Sequence, residues 1–199
     1  MGNIRKVWQP EIFYHITMRG NNKQRIFINK GDFKFFTHTL GQANSIYSFT
    51  IIAYSLVNNH YHLLIRSPRA PLSEVLIFIN QQYSNYFKRK YKFVDQLYET
   101  RYYTNMISDP KELLKVSKYI HQNHLYTQRT ILGKLESYPY SSYPFYADEK
   151  KCKPSYINTN LLPSLIKKYP ELKMESYNMY CENILLEVEK TFHRQYSLT

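Results

Sequence analysis

The chain has 199 residues, 43% of them hydrophobic and 21% charged, which suits one soluble globular domain, or one domain with an extension, able to bury a core. No run approaches the roughly 18 uncharged apolar residues of a membrane span, MGNIRKVWQPEI at the start holds no signal-peptide stretch, and Lys6 stands where myristoylation wants Ser or Thr; the expectation is a cytoplasmic protein with no membrane partner. Lys and Arg number 27 against 15 acidic residues, and the resulting charge of +12 favours a polyanionic partner, most often nucleic acid.

EIFYHITMRG (11–20) is aromatic and β-branched and ends in Gly, so it reads as a first strand, followed by a polar loop, GNNKQRIF. Asp32 is a candidate cap for a helix to about Ser45, with Phe33, Phe36 and Leu40 at helical spacing. FTIIAYSLV (49–57) and HYHLLIRS (60–67) read as a hairpin about Asn58-Asn59, a turn signal because Asn tolerates positive φ. Pro71 opens a long helix with Leu72, Val75, Ile79 and Tyr83 along one side, ending in the basic FKRKYK. RYYTNMI (101–107) reads as a fourth strand.

DPKELLKVSKYIHQN (109–123) is the clearest helix. Asp109 stands at the N-cap, Pro110 at the first helical position and Glu112 at the third, with Leu113, Val116 and Ile120 as the apolar stripe. SYPYSSYPFY reads as a loop, and NTNLLPSLIKK and SYNMYCENILLEVEKTFHRQ as helices of a C-terminal extension. The expected fold class is α+β: a ferredoxin-like antiparallel sheet with helices packed on one face, plus the helical C-terminal extension. Residues 1–150 would form the working domain and 151–199 the extension, packed on it. Cys152 and Cys181 lack metal-site spacing and read as free thiols in a reducing compartment. The 21 tyrosines, interleaved with cations, suit stacking on unpaired bases or a tyrosine-rich core.

Two constellations carry chemistry. Residues i and i+2 of a strand share a face, so His60 and His62 project together and Tyr61 the other way. Such a pair can bind one metal ion with positions left for substrate; alternatively one His caps the turn and the other packs. On the capped helix, Lys115, Tyr119 and Asn123 recur every four residues along a face offset from the apolar stripe. A phenol and an amide one turn apart can serve one site, or merely border the core. His15 alternates in the first strand and either faces the site or, the preferred reading, is a satisfied half-buried histidine.

NNHYHLLI resembles the HUH motif of single-strand DNA transposases, with Tyr61 as the bulky apolar residue between the histidines. KYIHQNHL resembles the tyrosine-bearing stretch of the REP-associated tyrosine transposases, and YHITMRGNNKQRIF and YPYSSY resemble that family's other landmarks. The four follow the family's order over roughly residues 10 to 145. The resemblance implies a metal-dependent transposase that cleaves and rejoins single-stranded DNA at hairpin-forming sites through a 5′-phosphotyrosine. It implies His60, His62 and Asn123 as ligands of a divalent metal, Mg²⁺ or Mn²⁺, and Tyr119 as nucleophile. His124 stands where the family has Pro, which bears on where the helix ends.

The DNA candidates are Arg19, Asn21, Lys23 and Arg25 in and beside the first loop, Lys88, Arg89 and Lys90 after the long helix, and Lys115. The family includes monomers and homodimers. A regulatory DNA-binding relative and an HUH replication-initiator-type nuclease are the alternatives.

Overall fold

The computed structural model describes residues 8–127 and 134–183. Four strands, β1 (Phe13–Arg19), β2 (Thr50–Val57), β3 (His60–Arg66) and β4 (Tyr103–Ile107), form an antiparallel sheet in the order β2-β3-β1-β4. Helix α1 (Lys30–Tyr47) links β1 to β2, α2 (Leu72–Tyr91) links β3 to β4, and α3 (Pro110–Thr127) follows β4. The fold class is the expected α+β ferredoxin-like arrangement.

One detail differs from expectation: helices cover both faces. Phe33, Phe36 and Leu40 of α1 and Val75, Ile79 and Tyr83 of α2 pack with Ile16, Tyr61, Leu63 and Ile65. Leu113, Val116 and Ile120 of α3 pack instead with Ile52, Ala53 and Leu64. The alternation of the strands demands this division, because both faces carry apolar side chains that need a cover. A bulge in β2 reinforces it: Ile51 pairs with Ile65 and Ala53 with Leu64, so Ile52 is the extra residue and Ile52 and Ala53 both reach the α3 side.

The outer edge of β2 is covered by chain that follows α3. Leu56 N donates to Tyr140 O at 2.9 Å, Ser142 N to Tyr54 O at 3.0 Å and Tyr138 Oη to Leu56 O at 2.6 Å; further along, Ile51 N donates to Tyr156 O and Asn158 N to Ile51 O. YPYSSY therefore satisfies backbone groups that an open sheet edge would expose. Helix α4 (Pro144–Ala147) leads on to α5 (Leu161–Lys168) and α6 (Tyr177–Glu182). Leu162, Leu165, Ile166, Tyr177 and Cys181 join the cluster formed by α3. The helix expected over 176–195 is described as α6, and its part beyond 183 lies outside the described residues.

Three local expectations change. Asn29, not Asp32, caps α1: Gly31 N donates to Asn29 Oδ1, while Asp32 at the third position accepts from Asn29 N at 2.9 Å. The hairpin turn forms with neither Asn58 nor Asn59 at positive φ. It is held from outside, by Ile26 N and Phe27 N donating to Asn58 O and Gly20 N to Asn59 O, all within 2.9 Å. Third, α3 continues through His124 to Thr127, with the His124 ring stacked on Tyr138 at 4.1 Å between centroids. Asp109 Oδ1 accepts from Lys111 N at the start of α3, as the N-cap reading expects.

Candidate active site

The imidazole pair sits on the α3 side of the sheet. Antiparallel register sets Arg19 opposite His60 and Thr17 opposite His62 across β1 and β3. Tyr61, between the histidines, is buried on the opposite side among Phe36 and other core residues. The two rings lie 4.9 Å apart, perpendicular to one another.

Helix α3 crosses this face with Tyr119 and Asn123 one turn apart. The Tyr119 ring meets the His62 ring edge-on at 5.4 Å between centroids. Asn123 reaches both neighbours: its Oδ1 lies 3.1 Å from His60 Nε2, and its Nδ2 donates to Tyr119 Oη at 3.4 Å. One carboxamide thus joins the hairpin histidine to the phenol, and residues 63 apart in sequence converge within one chain.

The hydrogen-bond arithmetic at His60 is informative. Its Nδ1 lies 2.8 Å from Asn59 Oδ1 and its Nε2 3.1 Å from Asn123 Oδ1. Burial, with the nearby Arg19 charge, presses its pKa down from 6.5 to about 4, against the raising effect of its hydrogen bond with Asn123. A neutral imidazole carries one N–H. With two amide oxygens facing its two nitrogens, one nitrogen must present a lone pair to an oxygen lone pair. When Asn59 takes the Nδ1 proton, that juxtaposition falls between His60 Nε2 and Asn123 Oδ1, where a cation would turn repulsion into coordination. His60, His62 and Asn123 therefore fit a divalent metal by donor chemistry: two neutral imidazole nitrogens and one amide oxygen. Among the described residues no three His, Cys, Asp or Glu side chains cluster as a metal site.

Tyr119 is only 6% exposed. Burial raises its pKa to about 12, while the Asn123 hydrogen bond and the Arg19 charge act to lower it. Both of those groups favour the phenolate form.

The remaining candidates are dispersed. Arg19 is half-buried at the end of β1 beside the site. Lys115 is exposed on α3 one turn before Tyr119. Asn21 begins a short 3-10 turn, its N donating to Leu97 O, and Lys23 and Arg25 are exposed in the loop that braces the hairpin. Lys88, Arg89 and Lys90 end α2, which packs on the opposite sheet face. Lys90 is already engaged, 2.7 Å from the buried Asp32 carboxylate and bonded to Tyr86.

Three residues without a site assignment from sequence adjoin the pair. Thr17 Oγ1 lies 2.9 Å and His15 Nε2 3.0 Å from His62 Nδ1, and Asn59 Oδ1 contacts His60 Nδ1. His15 is fully buried rather than half-buried. The alternation of His15 and Thr17 in β1 was the available signal, but their meeting with His62 depends on strand register.

Comparison with known proteins bears on the family and the fold. The family model described as "Transposase IS200 like" matches residues 9–123. Among solved structures, a REP-associated tyrosine transposase bound to a REP hairpin superposes with a TM-score of 0.60 at 15% identity, covering 80% of this chain and 94% of that one. A putative transposase from Deinococcus radiodurans R1 matches with a TM-score of 0.42 at 12% identity, over 61% of this chain and 97% of the other. No curated protein matches the sequence.

Proposed function

Because the chain belongs to the IS200-like transposase family, we propose that it cleaves and rejoins single-stranded DNA at hairpin-forming sites through a covalent 5′-phosphotyrosine on Tyr119. The observation that carries this reading is the Asn123 amide, with its oxygen toward His60 and its nitrogen toward the Tyr119 hydroxyl. One solved structure of similar fold is a transposase bound to a REP hairpin, which supports hairpin DNA as the substrate.

A phosphodiester resists attack because its charge repels nucleophiles and more charge gathers on its oxygens during transfer. A divalent ion, Mg²⁺ or Mn²⁺, held by His60, His62 and Asn123 supplies charge neutralisation and orientation of the phosphate. The rest is the work of side chains. Tyr119 loses its proton to water and its oxygen forms the bond to phosphorus as the bond to the 3′-oxygen breaks. The departing 3′-oxygen takes up a proton and becomes a hydroxyl. Asn123 Nδ2–H and the Arg19 guanidinium stabilise the phenoxide character of Tyr119 in both directions. The phosphotyrosine conserves the phosphodiester linkage, so a second 3′-hydroxyl can displace Tyr119 and join a new strand. Arg19 and Lys115, nearest the site, hold phosphates there, with Asn21, Lys23 and Arg25 extending the contact along the first loop. Lys88 and Arg89 serve a more distant segment of DNA. Lys90 acts mainly through Asp32.

The test is incubation of the full chain with single-stranded hairpin oligonucleotides and Mn²⁺, followed by denaturing electrophoresis. A protein–DNA adduct is expected with the wild type and none with Tyr119→Phe, while hairpin binding stays within about twofold. An adduct retained by Tyr119→Phe would remove this residue as nucleophile. Tight binding with no cleavage in either metal would favour a regulatory DNA-binding protein.

A further inference from the structure

Each histidine of the pair has a polar side chain at Nδ1, the nitrogen on the far side of the ring from Nε2. For His60 it is Asn59, the residue before it, whose Oδ1 lies 2.8 Å away. For His62 it is Thr17, its cross-strand partner, whose Oγ1 lies 2.9 Å away, with His15 Nε2 at 3.0 Å as a second neighbour. An amide oxygen can only accept, so Asn59 favours the single proton of His60 on Nδ1, in competition with Asn123 Oδ1 at Nε2 until a cation takes that second position. A hydroxyl can accept or donate, and here both choices have different consequences. If Thr17 accepts, His62 also carries its proton on Nδ1 and both rings turn an Nε2 lone pair into the site. If Thr17 donates, His62 Nε2 is blocked by its own proton.

We propose that Asn59 and Thr17 are positioning residues that keep the protons of His60 and His62 on Nδ1, so that both Nε2 lone pairs are presented together to a divalent cation. The inference rests on the metal site proposed above and adds the groups that orient it. Thr17 and His62 are each essentially buried, so water cannot easily replace the lost contact, and the ring orientation depends on the side chain from β1. Outer hydrogen bonds of this kind typically change metal affinity by about 10- to 100-fold when removed. His15 closes the site from the same strand, its ring stacked on His62 at 5.2 Å and edge-on to Tyr119 at 6.0 Å.

The experiment is a titration of Mn²⁺ into the full chain without DNA, read as loss of free-ion electron paramagnetic resonance signal, on the wild type, His62→Ala, Thr17→Val, Thr17→Ser and Asn59→Ala. The expected result is binding by the wild type, loss in His62→Ala, at least about 10-fold weaker binding in Thr17→Val and Asn59→Ala, and recovery to within about threefold in Thr17→Ser. Imidazole ¹⁵N chemical shifts of the metal-free proteins supply a second readout, with His62 moving from the Nδ1–H tautomer towards Nε2–H in Thr17→Val. Wild-type affinity and an unchanged tautomer in Thr17→Val would overturn the inference while leaving the metal site intact. A wild type that binds no Mn²⁺, or a His62→Ala variant that binds it equally well, would overturn the metal site itself.

Discussion

Replacing Asn123 with Asp separates the two duties of its side chain. The carboxylate keeps an oxygen near His60 Nε2, 3.1 Å from the present amide oxygen, and adds a negative charge that strengthens cation binding. It also removes the N–H that donates to Tyr119 Oη at 3.4 Å. A hydrogen bond to a charged oxygen contributes about 1.5–3 kcal/mol. A carboxylate oxygen at that distance from a developing phenoxide would in addition repel it by about 5 kcal/mol at an effective dielectric near 20, before the cation offsets part of the charge. The donor loss alone corresponds to roughly 10- to 100-fold in rate. The expected outcome is therefore Mn²⁺ affinity equal to or tighter than wild type, with adduct formation slowed by about 100-fold or more. Single-turnover cleavage of an end-labelled hairpin oligonucleotide at saturating Mn²⁺, run beside the metal titration, measures both. Adduct formation within about threefold of wild type at full metal occupancy would refute the role given to the amide N–H.

Two further outcomes follow from the frame around the site. In Gly20→Ala the added Cβ would lie 2.2 Å from Gln24 O and 2.9 Å from Ile26 Cγ2, so the loop that donates to Asn58 and Asn59 must shift; thermal melts should show a loss of about 1–3 kcal/mol, accompanied by weaker Mn²⁺ binding through the displaced hairpin, and an unchanged melt would sink the bracing role. Asp32 is buried, which on its own raises its pKa, but hydrogen bonds from Lys90, the Asn29 and Ile28 backbone and Tyr91 outweigh this and leave it below its usual 3.8. A carboxylate held more acidic in the folded chain stabilises above its unfolded value and loses that contribution as pH falls through the folded one. Asp32→Asn should therefore be less stable than the wild type near neutral pH, and the gap between the two proteins should narrow as pH falls below the ordinary carboxylate range in denaturant titrations; a gap constant down to pH 2 would contradict the assignment.

Much of the site was legible because its parts are local. Period-two alternation placed His60 and His62 together, and period-four spacing placed Tyr119 and Asn123 together. Neither needed knowledge of a distant residue. What failed to read were contacts set by register and packing. Lys90 looked like one of three equivalent cations after the long helix, yet α1 and α2 pack so that Asp32 claims it. YPYSSY is the loop it looked like, but nothing local to it told that its backbone bonds go to β2. Thr17 looked like an ordinary strand residue, and His15 could be read as facing the site or as packing, until β1 paired with β3.

The amino-acid sequence by itself determined the strands, the main helices and the two short groups of candidate side chains, since backbone period and capping chemistry act over a few residues. Only the tertiary structure decided that α3 would cross the histidine face rather than join α1 and α2, and that Asn123 would stand between His60 and Tyr119. The physical reason is that the sheet is apolar on both sides: each face needs its own helical cover, and the helix covering the second face brings the phenol and the amide with it.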